Sequence, residues 1–135
     1  MLVCWDFHRD EKELFSEALT ALCCAVRAYC DLNIPAKEGE TSLREQLESL
    51  EKQGHGHDDR LDSVHVPDGW DYLWEIFWDL RSGLADGFSG KKITWRDFLD
   101  YQNVTGYEFS AWEIEALRSM DAAIIKWQAE QRRET

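Results

Sequence analysis

The chain has 135 residues, 44% of them hydrophobic, and its 27 acidic and 15 basic residues give a formal net charge of −12. That length fits one compact domain or two small subdomains, with too much apolar material for wholesale disorder. The charge argues against binding to phosphate backbones or anionic lipid, which need a basic surface, and fits solubility or a basic protein partner.

The N-terminal stretch "MLVCWDFHRDEKE" turns charged within a few residues, and the longest apolar run, "ALTALCCAV", stops at Arg27. Neither a targeting segment nor a membrane span is expected. The first predicted helix runs from about Asp10 to Cys30, where Leu14, Phe15, Ala18, Leu19, Leu22, Val26 and Tyr29 recur at three- and four-residue steps. Cys23, Cys24 and Cys30 lie within it; with Cys4 they read as reduced thiols acting as small buried hydrophobes. "NIPAKEGE" ends the helix, because Pro35 cannot continue it and Gly39 is free to turn. Ser42 and Glu45 then form a capping-box pattern that opens "SLREQLESLEKQ", with Leu43, Leu47 and Leu50 on a narrow apolar edge. "GHGHDDRLDSVHVPDG" has no periodicity and reads as a linker.

Beyond Pro67 the texture changes, and six of the seven tryptophans lie from Trp70 onward. Asp68 is positioned to cap a helix through "GWDYLWEIFWDLRSG", in which Trp70, Leu73, Trp74, Phe77 and Leu80 share a face and Trp78 points elsewhere. Gly83, Gly87 and Gly90 mark a loop. Thr94 and Asp97 start a short helix that Gly106 ends, and Ser110 with Glu113 offers a second capping box. In the last helix Leu117, Met120, Ile124 and Trp127 make the inner stripe, with Asp121 at its edge as a structural hydrogen-bond acceptor for a tryptophan N–H or a neighbouring helix start. The expectation is an all-α small helical bundle: an N-terminal helical segment of two helices over residues 1–52, a linker over 53–67, and a three-helix domain over 68–135. Ser110, Thr94 and Asp121 are its structural residues.

Chemistry is hard to find. "HGHDD" offers His55, His57, Asp58 and Asp59 as metal donors, but the flanking glycines and remote cysteines favour solvated linker. Asp97 and Asp100, three apart on one helix, could share acid/base work, yet such pairs on an acidic protein are ordinarily solvated. No phosphate-cradling glycine motif, nucleophile elbow or metalloprotease helix occurs. Two helices joined by "VTG" have the outline of a DNA-reading motif. The second helix, however, offers Arg118 against Glu113, Glu115 and Asp121, which phosphates would reject. No catalytic residue, metal or cofactor is expected, and no nucleic-acid or membrane partner.

The tryptophans carry the positive signal. About 65 residues in three helices cannot readily bury six large rings, and exposed tryptophan is enriched where proteins grip one another. The partner-binding candidates are Trp74, Trp78 and Trp112 as anchors, with Asp79 and Glu115 as rim charges.

The fragments "YLWEIFWDLRSG", "GFSG", "ITWRDF", "VTG" and "AWEIEALRSMDAA" occur in that order between about Asp68 and Glu130. In this the chain resembles the tail assembly chaperones of long-tailed bacteriophages; residues 1–66 are outside the resemblance. It implies a non-enzymatic protein of the host bacterial cytoplasm, absent from the mature virion. Such a protein binds the long helical tape-measure protein and recruits tail-tube subunits; self-association is left open. The alternative is an acidic phage-encoded inhibitor whose carboxylates imitate nucleic acid for a host defence enzyme. Interleaved acids and tryptophans, rather than bare carboxylate rows, favour the chaperone.

Overall fold

The computed structural model describes residues 2–35, 39–84 and 91–133, and the side chains from residue 11 onward within them. Among these residues five α-helices make an all-α bundle: α1 (Leu2–Asn33), α2 (Leu43–Leu50), α3 (Asp71–Ser82), α4 (Trp95–Thr105) and α5 (Ala111–Arg133). No strand occurs among the described residues. The Cys4 side chain and the loop glycines Gly87 and Gly90 lie outside what the structure describes.

Local chemistry sets the helix ends. Ser42 accepts the Glu45 N–H at 3.2 Å to open α2. Before α4, the Thr94 N–H donates to Asp97 at 2.7 Å and the Asp97 N–H returns to the Thr94 hydroxyl at 3.3 Å. Ser110 and Glu113 repeat this reciprocal cap before α5. One expected cap is displaced: α3 starts at Asp71, not at Asp68. The Trp70 N–H donates to the Pro67 carbonyl at 3.1 Å across Gly69, whose φ is 87°, so Pro67–Trp70 is a tight turn that delays the helix.

Gly106 ends α4 at φ 78° with nothing within 4 Å of where a Cβ would stand. The position needs glycine for its backbone alone. Gly106→Ala is therefore expected to cost about 1 kcal/mol in urea denaturation; no loss at all would contradict the left-handed cap.

Helix α1 runs parallel to α5, with Phe15 beside Trp112 near one end and Asp31 beside Trp127 near the other. Leu22, Val26 and Cys30 of α1 share one core cluster with Leu73, Phe77 and Leu80 of α3, Phe98 of α4, and Leu117, Met120 and Ile124 of α5. Two side-chain pairs fasten the far end: the Trp127 ring N–H donates to Asp31 at 2.7 Å, and Arg27 pairs with Glu130 at 2.7 Å.

The observed α1 outgrows its predicted span at both ends and rotates its stripe. Ala18, Leu22, Ala25, Val26, Cys30 and Leu32 are buried, whereas Leu14 is 64% exposed and Cys24 lies in solvent. The stripe follows α5, and Leu14 lies beyond the point where α5 covers that face. The segment between α2 and α3 carries a π-turn over Glu51–His55 and a 3₁₀ turn over Asp59–Asp62.

Candidate functional site

Fragments far apart in sequence meet at a buried ion pair. Arg81 ends α3 and Asp121 sits mid-way along α5, 40 residues later, yet the guanidinium and carboxylate lie 2.7 Å apart with side chains 2% and 6% exposed. The same guanidinium donates to the Lys91 carbonyl at 2.8 Å, and the second Asp121 oxygen accepts the Ile93 N–H at 2.9 Å. A segment without regular structure, which must satisfy its backbone groups elsewhere, is thereby fixed between two helices and led into the Thr94 cap. The "RSG", "ITW" and "MDAA" fragments are one structural device: its cation, the backbone it orders and its anion.

A family model for phage tail assembly chaperones matches residues 50–126, which contain the whole of this device. The chain belongs to that family. No curated protein and no solved structure matches it. No helix among the chaperone's described residues is long and apolar enough to cross a membrane.

A broad depression of the chaperone lies away from the ion pair. It is a groove of about 900 Å³, open along one side and walled by Leu14, Phe15, Ala18 and Ala21 of α1, with Pro67, Trp70 and Trp112 opposite. Three rings form a cluster: Trp70 and Trp112 at 5.5 Å, Phe15 and Trp70 at 6.0 Å, and Phe15 and Trp112 at 6.2 Å between centroids. Trp112 remains 44% exposed there, an indole held in place by its neighbours and still accessible. The match takes in Pro67, Trp70 and Trp112, while the α1 wall lies before it.

Glu113, next to Trp112, steadies this end of α5. Its carboxylate accepts from the Ser110 N–H at 2.9 Å and the Ser110 hydroxyl at 3.0 Å, and from the hydroxyls of Tyr107 and Tyr72. Burial works to raise its pKa, but these hydrogen bonds outweigh burial and hold it below the usual glutamate value. The phenol of Tyr107 moves the other way, to about 12, through burial and the adjacent carboxylate. Because its folded pKa is lowered, the stability Glu113 contributes is present above the ordinary carboxylate range and lost as pH falls through the folded value.

The remaining sequence candidates are not gathered into one place. Trp74 and Trp78 are half-buried against Tyr29 of α1, with Trp78 4.3 Å from that ring. Asp79 lines a separate depression with Asp97 and Asp100, and Glu115 lines another with Trp95 and Arg118. Trp95, which the helical pattern did not single out, is 63% exposed with the Arg118 guanidinium 4.5 Å above its ring. Thr94, Ser110 and Asp121 stand at the two caps and the ion pair. In the sequence the groove residues Phe15 and Trp70 are only stripe members; nothing local signals that α1 brings one to the other.

In "HGHDD", His57 bridges its own loop. Its Nε2 lies 2.7 Å from Asp62 and its Nδ1 3.4 Å from Glu51, while Asp58 spends its carboxylate on Arg60. Among the described residues no three or more His, Cys, Asp and Glu side chains are grouped to hold a metal. Hydrogen bonding and charge from Asp62, reinforced by Glu51, raise the His57 pKa. The clamp is therefore complete below the ordinary histidine pKa and is lost as pH rises through the raised folded value. In an NMR titration the His57 ring is expected to have its midpoint above that of an unperturbed histidine, and Asp62→Asn should bring it down. A midpoint indifferent to Asp62→Asn would contradict the bridge.

Proposed function

We propose that the protein is a non-enzymatic tail assembly chaperone of the host bacterial cytoplasm that grips helical segments of the tape-measure protein in the Phe15–Trp70–Trp112 groove, recruits tail-tube subunits, and is released before the virion is complete. The observation that carries this reading is the open aromatic groove itself. Exposed indole beside exposed leucine is costly in water and becomes favourable once an apolar face covers it. The charge of −12 keeps a protein with such a surface soluble before its partner arrives.

The test is a pull-down of the tape-measure protein, and separately of host nucleic-acid-binding enzymes, with the wild-type chain, Trp112→Ala and the charge reversals Asp79→Lys and Glu115→Lys. The tape-measure protein should be retained by the wild type, lost with Trp112→Ala and kept by the charge reversals. Capture of a host enzyme that survives Trp112→Ala and fails with the charge reversals would replace this reading with the nucleic-acid mimic.

A further inference from the structure

The lip of the groove differs in character from its floor. The floor is indole, phenyl and aliphatic carbon, whereas, among the described residues, Glu11 and Glu17 stand on the α1 side with one cation, Lys12. Exposed carboxylates also adjoin the opposite wall in sequence: Asp68 follows Pro67, Asp71 follows Trp70, and Glu108 stands four residues before Trp112, in the connection that leads into α5. Small-molecule sites place converging polar groups inside the pocket to fix orientation; here the charged groups are at the edge and in water. The α1 wall from Glu11 to Ala21 is about 15 Å long, matching about three turns of a docked helix. Such a helix would lay residues i, i+3 or i+4, and i+7 on the rings.

We propose that the groove selects an amphipathic helix whose apolar stripe is flanked by lysines and arginines. This rests on the groove being the grip described above and adds the chemistry of what it grips. The aromatic floor supplies affinity, and the carboxylate rim supplies speed and choice of partner, because rim charges act on encounter and penalise like charge.

The experiment uses three labelled peptides of about five turns and fluorescence anisotropy at about 0.15 M salt. The first has a leucine stripe with lysine flanks, the second the same stripe with glutamate flanks, and the third is a scramble of the first with equal charge and no stripe. The lysine-flanked helix should bind the full chain at least about tenfold more tightly than either of the others. Trp112→Ala and, at a largely exposed position, Leu14→Glu should each weaken it by about tenfold or more. Glu11→Lys with Glu17→Lys should close the gap between the lysine and glutamate peptides, and Leu99→Ala, exposed on α4, should change nothing. Equal binding of the scramble, equal binding of the glutamate peptide, or indifference to both groove variants would each overturn the proposal. So would sedimentation showing a dimer that Trp112→Ala converts to monomer, since a second copy would then be the occupant. If the lysine-flanked helix binds but the tape-measure protein does not compete with it, the specificity stands and the tape-measure assignment falls. If the tape-measure protein binds through Trp112 while flank charge is immaterial, the assignment stands and the specificity falls.

Discussion

Asp121→Ala is expected to lower the stability of the chaperone by about 3–5 kcal/mol, a fall in Tm of roughly 10–20 °C for a domain of this size. The buried Arg81 guanidinium donates to the Asp121 carboxylate and the Lys91 carbonyl, and the other Asp121 oxygen accepts the Ile93 N–H. Removing the carboxylate strands a buried cation and an amide donor together, which is far costlier than the net worth of the pair. Asp121→Asn should fall between, keeping the shape and one acceptor while losing the charge. Replacing both partners, Arg81→Met with Asp121→Leu, should recover much of the loss, since no uncompensated charge remains. Urea denaturation of the four proteins checks the series. A loss under about 1 kcal/mol for Asp121→Ala, the range of exposed ion pairs, would show that the pair is not buried as described.

The largest effect on binding is expected at Trp112. Truncation to alanine should weaken the tape-measure complex by about 2 kcal/mol or more, roughly 30-fold in Kd, with the fold retained because the indole is partly in solvent. Phe15→Ala should act in the same direction, as its ring supports both indoles. Asp79→Lys and Glu115→Lys, which line other depressions, should change mainly the association rate and its salt dependence. Titration calorimetry with stopped-flow association separates the two behaviours. Equal losses for Trp112→Ala and Asp79→Lys would contradict an aromatic grip.

What the sequence discloses here follows the range of the interactions. Caps act across three residues, so Ser42, Thr94 and Ser110 are legible as helix starts, and Gly106 as a stop. The α5 stripe is legible because Leu117, Met120, Ile124 and Trp127 all face the core. Periodicity fails where packing partners change: Leu14 sits in register with the α1 stripe but past the cover of α5. It locates only part of the spare aromatic surface, Trp112 but not Trp95. Three C-terminal helices alone could not enclose six indoles, but Tyr29 of α1 half-covers Trp74 and Trp78, leaving Trp95 and Trp112 as the exposed ones. Asp121 is conspicuous in the sequence as a carboxylate at the edge of an apolar stripe; its partner Arg81, an ordinary basic residue at a helix end, is not. The groove is the least legible feature, because α1, the turn at Pro67 and the start of α5 each supply a part of it.

If the aromatic groove is the grip, it should keep the tape-measure protein in solution, and co-expression checks this. The tape-measure protein would be produced alone, with the wild-type chain, and with the Phe15→Ala, Trp112→Ala double variant, and its soluble fraction measured after lysis. The tape-measure protein should aggregate alone, stay soluble with the wild type, and aggregate again with the double variant, which itself remains folded and soluble. Equal protection by wild type and double variant would contradict it.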